Sequence, residues 1–342
     1  MKQAILKLMN HAGVFAPFRM ANRDKALIVT YHRFRETHNP DNPIATSTRE
    51  LSRQLEYLTD HYRIVPLSEI ARYLASEQAL PSGIAAITID DGYRDFYEIA
   101  FPVFRRYNVP AAVFIVTGFA DQQTWMWTDK LRYLLPRART SRLELKISGR
   151  RRLVDLNGAL SPNDLAVCIN SVLKSLPDEQ KDDSIAEIAS SLGVELPNTP
   201  PAEFGSVSWD QIREMDSAGI EIGSHTLTHP ILTNVGSERL HREVFESRER
   251  IEGALGHPVN LFCYPNGNYN PAVRREAAQA GYRCAVTSEH GFNDASTNPF
   301  ELQRIHTERD LAHFVQSTSG FEQAKNHLRR AGQTAAVPAY EL

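Results

Sequence analysis

The chain has 342 residues, of which 42% are hydrophobic and 23% are charged, a composition typical of a folded globular protein rather than a disordered one. Its 38 basic and 41 acidic residues give a net charge of −3, and this balance argues against a nucleic-acid binder. Three cysteines without a C-x-x-C pair exclude a disulfide framework and a thiolate zinc site. No apolar run in the sequence approaches the roughly 18–20 residues that span a bilayer.

The N-terminal 25 residues lack the long apolar stretch and small-residue cleavage site of a signal peptide, so we expect a cytoplasmic protein. Residues 2–11 predict a short basic amphipathic helix, which would dock on the main domain or make a peripheral contact with a membrane. We expect residues 1–25 to be an extension, 26–320 to form the main domain and 321–342 to be a C-terminal tail.

Short β-rich runs alternate with helical patterns through the main domain. The predicted strands cover residues 26–31, 62–67, 85–90, 111–116, 220–224, 260–264, 282–288 and 302–306. The predicted helices cover residues 48–60, 68–77, 95–107, 208–218, 237–255, 271–280 and 310–318. This α/β alternation predicts a distorted parallel (β/α) barrel of seven or eight strands. A doubly wound open sheet is the alternative, although no G-x-G-x-x-G follows the first strand.

Residues 129–206 break the alternation. They begin with a basic segment and continue as polar, mostly helical sequence, with a candidate hairpin at residues 143–156. We interpret this stretch as a mostly helical insertion between two strands of the barrel.

Polar residues follow three of the predicted strands, at the carboxyl ends where barrel enzymes assemble their active sites. Asp90 and Asp91 precede a glycine and alone would indicate a turn, but adjacent carboxylates can also divide metal binding and proton transfer between them. His225 and His229 are four apart, the spacing that a metal uses if the segment makes a helical turn. Two histidines and one carboxylate with an open position are a common catalytic metal set.

The third polar site is a strand that runs into Tyr264-Pro265-Asn266-Gly267. By itself this sequence indicates a plain turn. Its functional interpretation is a turn whose backbone N–H groups bind a developing oxyanion in the barrel mouth.

Together these runs resemble the polysaccharide deacetylase family, the carbohydrate esterases with the NodB homology domain. Its first motif is similar to Thr88-Ile89-Asp90-Asp91-Gly92, its second to His225-Thr226-Leu227-Thr228-His229, and its third, more loosely, to Cys263-Tyr264-Pro265-Asn266-Gly267. The resemblance covers roughly residues 25–320. The opening run from Leu27 to Phe34 resembles the branch found in exopolysaccharide and surface-glycan biosynthesis.

The resemblance implies a distorted barrel and one divalent metal ion, usually zinc, held by Asp91, His225 and His229. It implies Asp90 as the general base for the attacking water. It also implies that the turn at Tyr264 and Asn266 contacts the substrate, with the Asn266 N–H binding the oxyanion.

The sequence departs from the family pattern in two places. Cys263 stands where an arginine normally orients the catalytic aspartate, and Arg304 is one candidate to replace it. The late Leu-x-His motif, which supplies a general acid, has no clean match. His32 ends the first predicted strand and His306 lies near the last, so both are candidates for the acid, and we prefer His32 because its strand is better defined.

These features predict a metal-dependent hydrolase that removes N-acetyl groups from the sugars of a polysaccharide or glycan precursor. The alternatives are a hydrolase of a non-carbohydrate amide on the same barrel, and a catalytically impaired glycan-binding relative. Acetate release from N-acetylated glycans, with and without a chelator, distinguishes the three.

Overall fold

The computed structural model describes residues 2–37, 45–76, 78–147, 150–307 and 310–325. The strands are β1 (Leu27–Tyr31), β2 (Arg33–Arg35), β3 (Ala45–Ser47), β4 (Arg63–Ile64), β5 (Ile84–Ile89), β6 (Ala112–Ile115), β7 (Arg142–Ile147), β8 (Arg150–Asp155), β9 (Glu221–Ser224), β10 (Leu261–Cys263), β11 (Cys284–His290) and β12 (Leu302–His306). The α-helices are α1 (Lys2–His11), α2 (Ala16–Ala21), α3 (Thr48–His61), α4 (Leu67–Ala75), α5 (Phe101–Tyr107), α6 (Thr117–Ala120), α7 (Trp127–Leu134), α8 (Pro162–Leu173), α9 (Asp178–Leu192), α10 (Trp209–Ser217), α11 (Ser237–Leu255), α12 (Pro271–Gln279) and α13 (Leu311–Thr318).

Seven parallel strands close into a barrel in the order β1, β12, β11, β10, β9, β6 and β5, with β5 pairing back to β1. The short strand β4 pairs with the beginning of β5 outside this ring. The predicted (β/α) barrel is therefore confirmed, and the open sheet was not adopted. Closure places Thr30 beside His306, so the first and last strands are neighbours as expected.

The strands are apolar on both sides because both sides are covered. Val29 packs in a cluster with Leu55 of α3, whereas the adjacent Ile28 packs in a second cluster with Phe114 and Leu261 from other strands. The side chains of successive residues point to opposite faces of a strand, so one face meets the helices and the other fills the barrel.

Local sequence signals explain several helix boundaries. Ser208 and Gln211 form the capping box that begins α10, as predicted, and Ser47 with Glu50 forms another at α3. The predicted helix at 95–107 begins instead as a π-helical turn, Phe96–Ala100, before α5.

The insertion folds around its own apolar core. It contains α8, α9 and the antiparallel pair β7–β8, which is the hairpin predicted at residues 143–156. Leu131 of α7, Leu143 of β7 and Leu165 of α8 share this separate core. The insertion therefore adds a small helical unit to the barrel rather than lengthening its strands.

The terminal segments lie outside the barrel. The predicted N-terminal helix forms as α1 and packs against α13. Residues 321–325 are helical, and the remainder of the predicted tail lies outside the described residues. In the part of the chain that the structure describes, no helix is long and apolar enough to cross a membrane.

Candidate metal centre and catalytic cleft

A cleft of about 580 Å³ lies at the carboxyl ends of the barrel strands. Every site residue named from the sequence lines it: His32, Asp90, Asp91, His225, His229, Tyr264, Asn266, Arg304 and His306. These residues follow or end five different strands, and the parallel barrel brings them to one rim because all its strands end on the same side.

Asp91, His225 and His229 form a triangle of ligand atoms. Asp91 Oδ1 lies 3.4 Å from His225 Nε2 and 3.5 Å from His229 Nε2, and the two Nε2 atoms are 3.2 Å apart. A tetrahedral zinc ion with ligands at about 2.0–2.2 Å has ligand atoms about 3.3–3.6 Å apart. The two edges from Asp91 fall in this range, and the edge between the two Nε2 atoms is about 0.1 Å shorter. The donor set and its spacing therefore fit a divalent ion.

Both imidazoles present Nε2 to the triangle, but they differ in how firmly they hold a proton. Burial lowers the pKa of His225, but its contacts with Cys263 and Asp91 outweigh burial and raise the pKa well above its ordinary value, so a metal ion bound to this ring would displace a proton. His225 Nδ1 donates a hydrogen bond to the Cys263 carbonyl at 2.8 Å, which leaves Nε2 unprotonated in the neutral ring. Burial, followed by the charge of His225, lowers the pKa of His229 to about 3 and favours its neutral form. Nδ1 of His229 is buried and has no hydrogen-bond partner among the described residues.

The loop that carries both histidines is not a helical turn, so the two imidazoles meet through a different backbone geometry from the one that their spacing would use in a helix. Thr226 and His229 have φ angles of 72° and 61°, which no α-helical turn allows. Glu243 of α11 accepts hydrogen bonds from the backbone N–H groups of Leu227 and Thr228 at 2.9 and 2.8 Å. The loop backbone is therefore bonded to another helix rather than to its own preceding turn.

Backbone strain is concentrated in this cleft. Six non-glycine residues in the described ranges have positive φ, and four of them are site residues or lie between them: Asp91, Thr226, His229 and Asn266. Such conformations cost of order 1–3 kcal/mol each and persist only where the surroundings enforce them. This clustering is typical of a functional site.

Arg304 holds Asp90 through a two-point ion pair. Its Nη1 and Nη2 lie 2.7 and 2.8 Å from the two carboxylate oxygens, and both side chains are buried. Nη2 also lies 3.5 Å from Cys263 Sγ, at the position where the family pattern has its arginine. A guanidinium thus reaches Asp90 from β12 rather than from β10.

The ion pair sets the charge of Asp90. Burial by itself raises the pKa of this carboxyl, but the charges of Arg304 and His32 outweigh burial and hold the pKa below its ordinary value. Asp90 is therefore an ionised carboxylate that can accept a proton.

His32 and His306 stack at the same rim, with ring centroids 6.4 Å apart. His32 Nε2 lies 3.6 Å from Asp90 Oδ2, whereas His306 Nε2 lies 3.3 Å from the Ser288 carbonyl. Burial and then the charge of Arg304 lower the pKa of His306, which disfavours the protonated form that a general acid requires. The structure brings both predicted candidates to the cleft, and these contacts favour His32.

The turn after β10 lies at the cleft, and its residues Tyr264 and Asn266 differ in the groups that they could present to a substrate. Asn266 has a φ of 56° and sits in the short 3-10 turn Pro265–Gly267. Tyr264 is fully buried, and its hydroxyl donates to the Phe300 carbonyl at 3.1 Å. Tyr264 thus builds the wall of the cleft and has no free hydroxyl for a substrate.

Glu243 is the functional residue that sequence reasoning missed. It lies on the buried stripe of α11, whose members are Leu240, Glu243, Val244, Ser247 and Ile251. A carboxylate on a mostly apolar helix face was the available signal, since buried charges normally have a specific partner. Its partner is the backbone of the loop between the two histidines.

Comparison with known proteins agrees with this geometry. The family described as polysaccharide deacetylase matches residues 77–285. The Bacillus subtilis protein YxkH is 20% identical over 282 residues, which cover 82% of this chain and 71% of YxkH. The poly-beta-1,6-N-acetyl-D-glucosamine N-deacetylase of Staphylococcus aureus is 26% identical over 121 residues, 32% of this chain and 41% of that protein.

A solved structure shows the same fold. The Streptococcus pyogenes deacetylase PplD in complex with acetate superposes with a TM-score of 0.58 at 17% identity, covering 86% of this chain and 98% of that one. At this identity the likeness establishes the barrel architecture.

Proposed function

The chain belongs to the polysaccharide deacetylase family, which hydrolyses N-acetyl amide bonds, and we propose that it deacetylates N-acetylated sugars with the help of one divalent metal ion. The observation that supports this proposal is the triangle of Asp91, His225 and His229, whose edges of 3.2–3.5 Å are close to those of a tetrahedral site. It lies beside the ionised carboxylate of Asp90. We take zinc as the ion of first choice because its usual ligands are imidazole and carboxylate.

The bound ion would polarise the acetyl carbonyl and make a water molecule more acidic. Asp90 accepts a proton from that water as its oxygen attacks the carbonyl carbon. Arg304 keeps Asp90 ionised and fixes the direction of its two oxygens. The backbone N–H of Asn266 donates to the developing oxyanion.

The carbon–nitrogen bond then breaks, and the leaving sugar nitrogen must gain a proton. We assign this proton to His32, with His306 as the alternative, because both line the cleft and His32 lies within 3.6 Å of Asp90. The products are acetate and a sugar with a free amino group, so every atom of the amide and of water is accounted for.

We infer a polymer or precursor that contains N-acetylglucosamine, since the Staphylococcus aureus relative is named for that substrate. The branch resemblance of residues 27–34 supports a role in surface-glycan or exopolysaccharide synthesis. A cytoplasmic location and a peripheral membrane contact through α1 stay predictions.

The test is acetate release from N-acetylglucosamine oligosaccharides, with and without a chelator, by the wild type and two matched variants. Asp91→Asn removes a ligand and is expected to lose bound metal and activity together. Asp90→Asn is expected to keep the metal and lose about 10²–10⁴-fold in kcat, the usual contribution of a general base.

The other possible outcomes of these assays would each contradict a specific part of the proposal. Acetate release that the chelator leaves unchanged would contradict the metal proposal. Metal loss in Asp90→Asn but not in Asp91→Asn would show that the two aspartates have exchanged roles. Hydrolysis of simple acetamides but not of glycans would favour the non-carbohydrate amide alternative.

A further inference from the structure

The N-terminal segment has an apolar surface that no other part of the described chain covers. Eight large hydrophobic side chains are exposed among the described residues, and half of them lie within residues 5–20: Ile5, Leu8, Val14 and Met20. The exposed fractions of Leu8 and Met20 are 71% and 58%, so neither belongs to the edge of a buried core. Single exposed apolar residues need no explanation, but several close together are typical of an interaction surface.

Helix α1 packs with one side and exposes the other. It contacts α13, and its residues Leu6 and Met9 are half-buried. Ile5 and Leu8 are three positions apart, which places them on one face of the helix, and both are exposed. Docking of α1 on the domain therefore leaves its apolar stripe available to a second partner.

Contacts with the domain hold the segment in place. Phe15 and Phe18 pack edge-on against Phe321, with ring centroids 5.5 and 5.0 Å apart. Arg19 of α2 donates to the hydroxyl of Tyr57 on α3 at 3.2 Å. The exposed apolar residues are therefore presented by an anchored segment.

The charge of this segment is opposite to that of the rest of the chain. Residues 1–23 include four basic residues and no acidic one. Residues 1–25 have a net charge of +4, whereas the whole chain has −3, so the other 317 residues together carry −7. Such a local excess of positive charge favours an anionic partner.

Two of the basic side chains are free to meet that partner. Lys7 is exposed beside the apolar stripe of α1, and none of the ion pairs between described residues includes it. Arg23 Nε lies 3.7 Å from Asp24, and both side chains are more than half exposed. An exposed pair of this kind contributes little, so it does not keep Arg23 from another anion.

We propose that the exposed face of residues 5–23 binds an anionic phospholipid surface. Ile5 and Leu8 enter the boundary between the headgroups and the acyl chains, while Lys7 and Arg23 contact lipid phosphates. A bilayer of anionic lipid offers negative charge directly above an apolar layer, which matches basic and apolar residues side by side without any carboxylate between residues 5 and 23. The proposal goes beyond the proposed function and does not depend on it.

Co-sedimentation of the full chain with lipid vesicles tests the proposal. One set of vesicles is pure phosphatidylcholine, and the other contains equal parts of phosphatidylcholine and phosphatidylglycerol. The wild type is expected to bind the anionic vesicles at least about ten-fold more tightly, because each basic residue near such a surface contributes about five-fold. Added salt should weaken this binding, since it screens the attraction.

Two variants separate the apolar and the basic contributions. Leu8→Asp is expected to lower the affinity for anionic vesicles at least about ten-fold, because a charge would replace a side chain that enters the lipid. Lys7→Gln is expected to lower it about five-fold. Both positions are exposed, so both variants should unfold at the wild-type temperature.

Leu160→Asp is the matched control. Leu160 is as exposed as Ile5, at 52%, but it lies in the insertion, between Asp155 and Asp164 in the sequence. This variant is expected to bind anionic vesicles as the wild type does. An equal loss in Leu160→Asp and Leu8→Asp would overturn the proposal, because the contact would not be specific to the N-terminal segment.

Two results with the wild type would also overturn the proposal. The first is equal binding, or no binding, to the two kinds of vesicle. The second is a concentration-dependent dimer in sedimentation velocity that Leu8→Asp abolishes, which would assign the face to a second copy of the chain. Vesicle binding requires neither metal nor turnover, so a wild type that releases no acetate but binds anionic vesicles would contradict only the proposed function.

Discussion

Two carboxylates with consecutive numbers have different surroundings in this cleft. Asp90 is buried against the Arg304 guanidinium, whereas Asp91 faces two imidazole nitrogens at 3.4 and 3.5 Å. Successive backbone positions at a strand end point in different directions, and the φ of 75° at Asp91 turns the chain further. One residue can therefore hold a metal while the other remains a base.

The buried ion pair between Asp90 and Arg304 leads to a prediction about the free energy of unfolding. Arg304→Met leaves a buried carboxylate without its partner and is expected to lower the free energy of unfolding by about 3–5 kcal/mol. Urea denaturation of the variant measures this loss.

A double variant provides the control. Asp90→Asn/Arg304→Met removes both charges and is expected to recover a large part of the lost stability, because no unpaired charge remains buried. Equal stability of the single and double variants would show that Arg304 matters through packing rather than through its charge.

The proposed role of His32 as general acid leads to a prediction about kcat. His32→Ala is expected to lower kcat on an N-acetylated sugar by about 10²-fold, because the leaving amine would lack its proton donor. The loss should be much smaller on an activated acetyl ester, whose leaving group needs little protonation. Parallel assays of the two substrates measure the difference, and metal content should not change.

His306→Ala is the comparison for that prediction. If His306→Ala shows the amide-selective loss and His32→Ala does not, the acid comes from β12 instead of β1. Equal losses on amide and ester in His32→Ala would indicate a substrate-binding or structural role.

At the scale of elements, α11 determines the shape of the histidine loop. Glu243 accepts the Leu227 and Thr228 N–H groups and the Thr228 hydroxyl at 2.5 Å. The backbone N–H groups of Thr117 and Gly118, at the start of α6, donate to the loop carbonyls of Thr226 and Leu227. The loop is thus held from both sides in a strained backbone conformation.

This arrangement predicts that Glu243 affects the affinity of the site for the metal ion without contacting the ion. Glu243→Gln keeps the size of the side chain but loses its charge, so the loop is held less firmly. We expect metal affinity to fall by about 10-fold or more, as for other groups that orient metal ligands. Competition with a chromogenic chelator measures this affinity.

Glu246→Gln is the matched control, because Glu246 is an exposed carboxylate on the same helix. Its metal affinity should equal that of the wild type. Unchanged affinity in Glu243→Gln would show that the loop keeps its shape without a charged acceptor.

At the scale of the whole molecule, barrel closure assembles the site. Pairing of β1 with β12 places His32 near His306 and brings Arg304 to Asp90, residues that are 214 positions apart. The insertion then covers one side of the cleft with α7 and α8. A site built from so many separate segments exists only in the folded chain.

Metal binding should therefore stabilise the fold as a whole. With free zinc at about 100 times its dissociation constant, linkage adds about 2.7 kcal/mol to the free energy of unfolding. We expect the Tm to rise by about 4 °C on this basis, since the unfolding entropy of a chain of this length is about 0.7 kcal/mol/K. Thermal unfolding of the apo protein and of protein supplied with zinc measures the shift.

His229→Ala is the control for this measurement. It lacks one ligand, and its Tm should respond little to zinc. An equal rise in both proteins would mean that zinc binds elsewhere on the chain.

The barrel was largely predictable because its elements are local patterns. The eight apolar runs predicted as strands correspond to β1, β4, β5, β6, β9, β10, β11 and β12. The pair β2–β3 was missed, since each strand has only three residues and is too short to show a pattern. The hairpin predicted at residues 143–156 corresponds to the antiparallel pair β7–β8.

The sequence alone determined the barrel class and identified Asp91, His225 and His229 as candidate metal ligands. It could do so because apolar periodicity and short motifs depend on residues that are close in the chain. Tertiary structure alone decided how these parts are held. Arg304 reaches Asp90 from the last strand, Glu243 holds the histidine loop from α11, and Lys174 faces the cleft from the insertion. Such contacts depend on how distant segments meet when the barrel closes, and no local pattern of residues encodes that meeting.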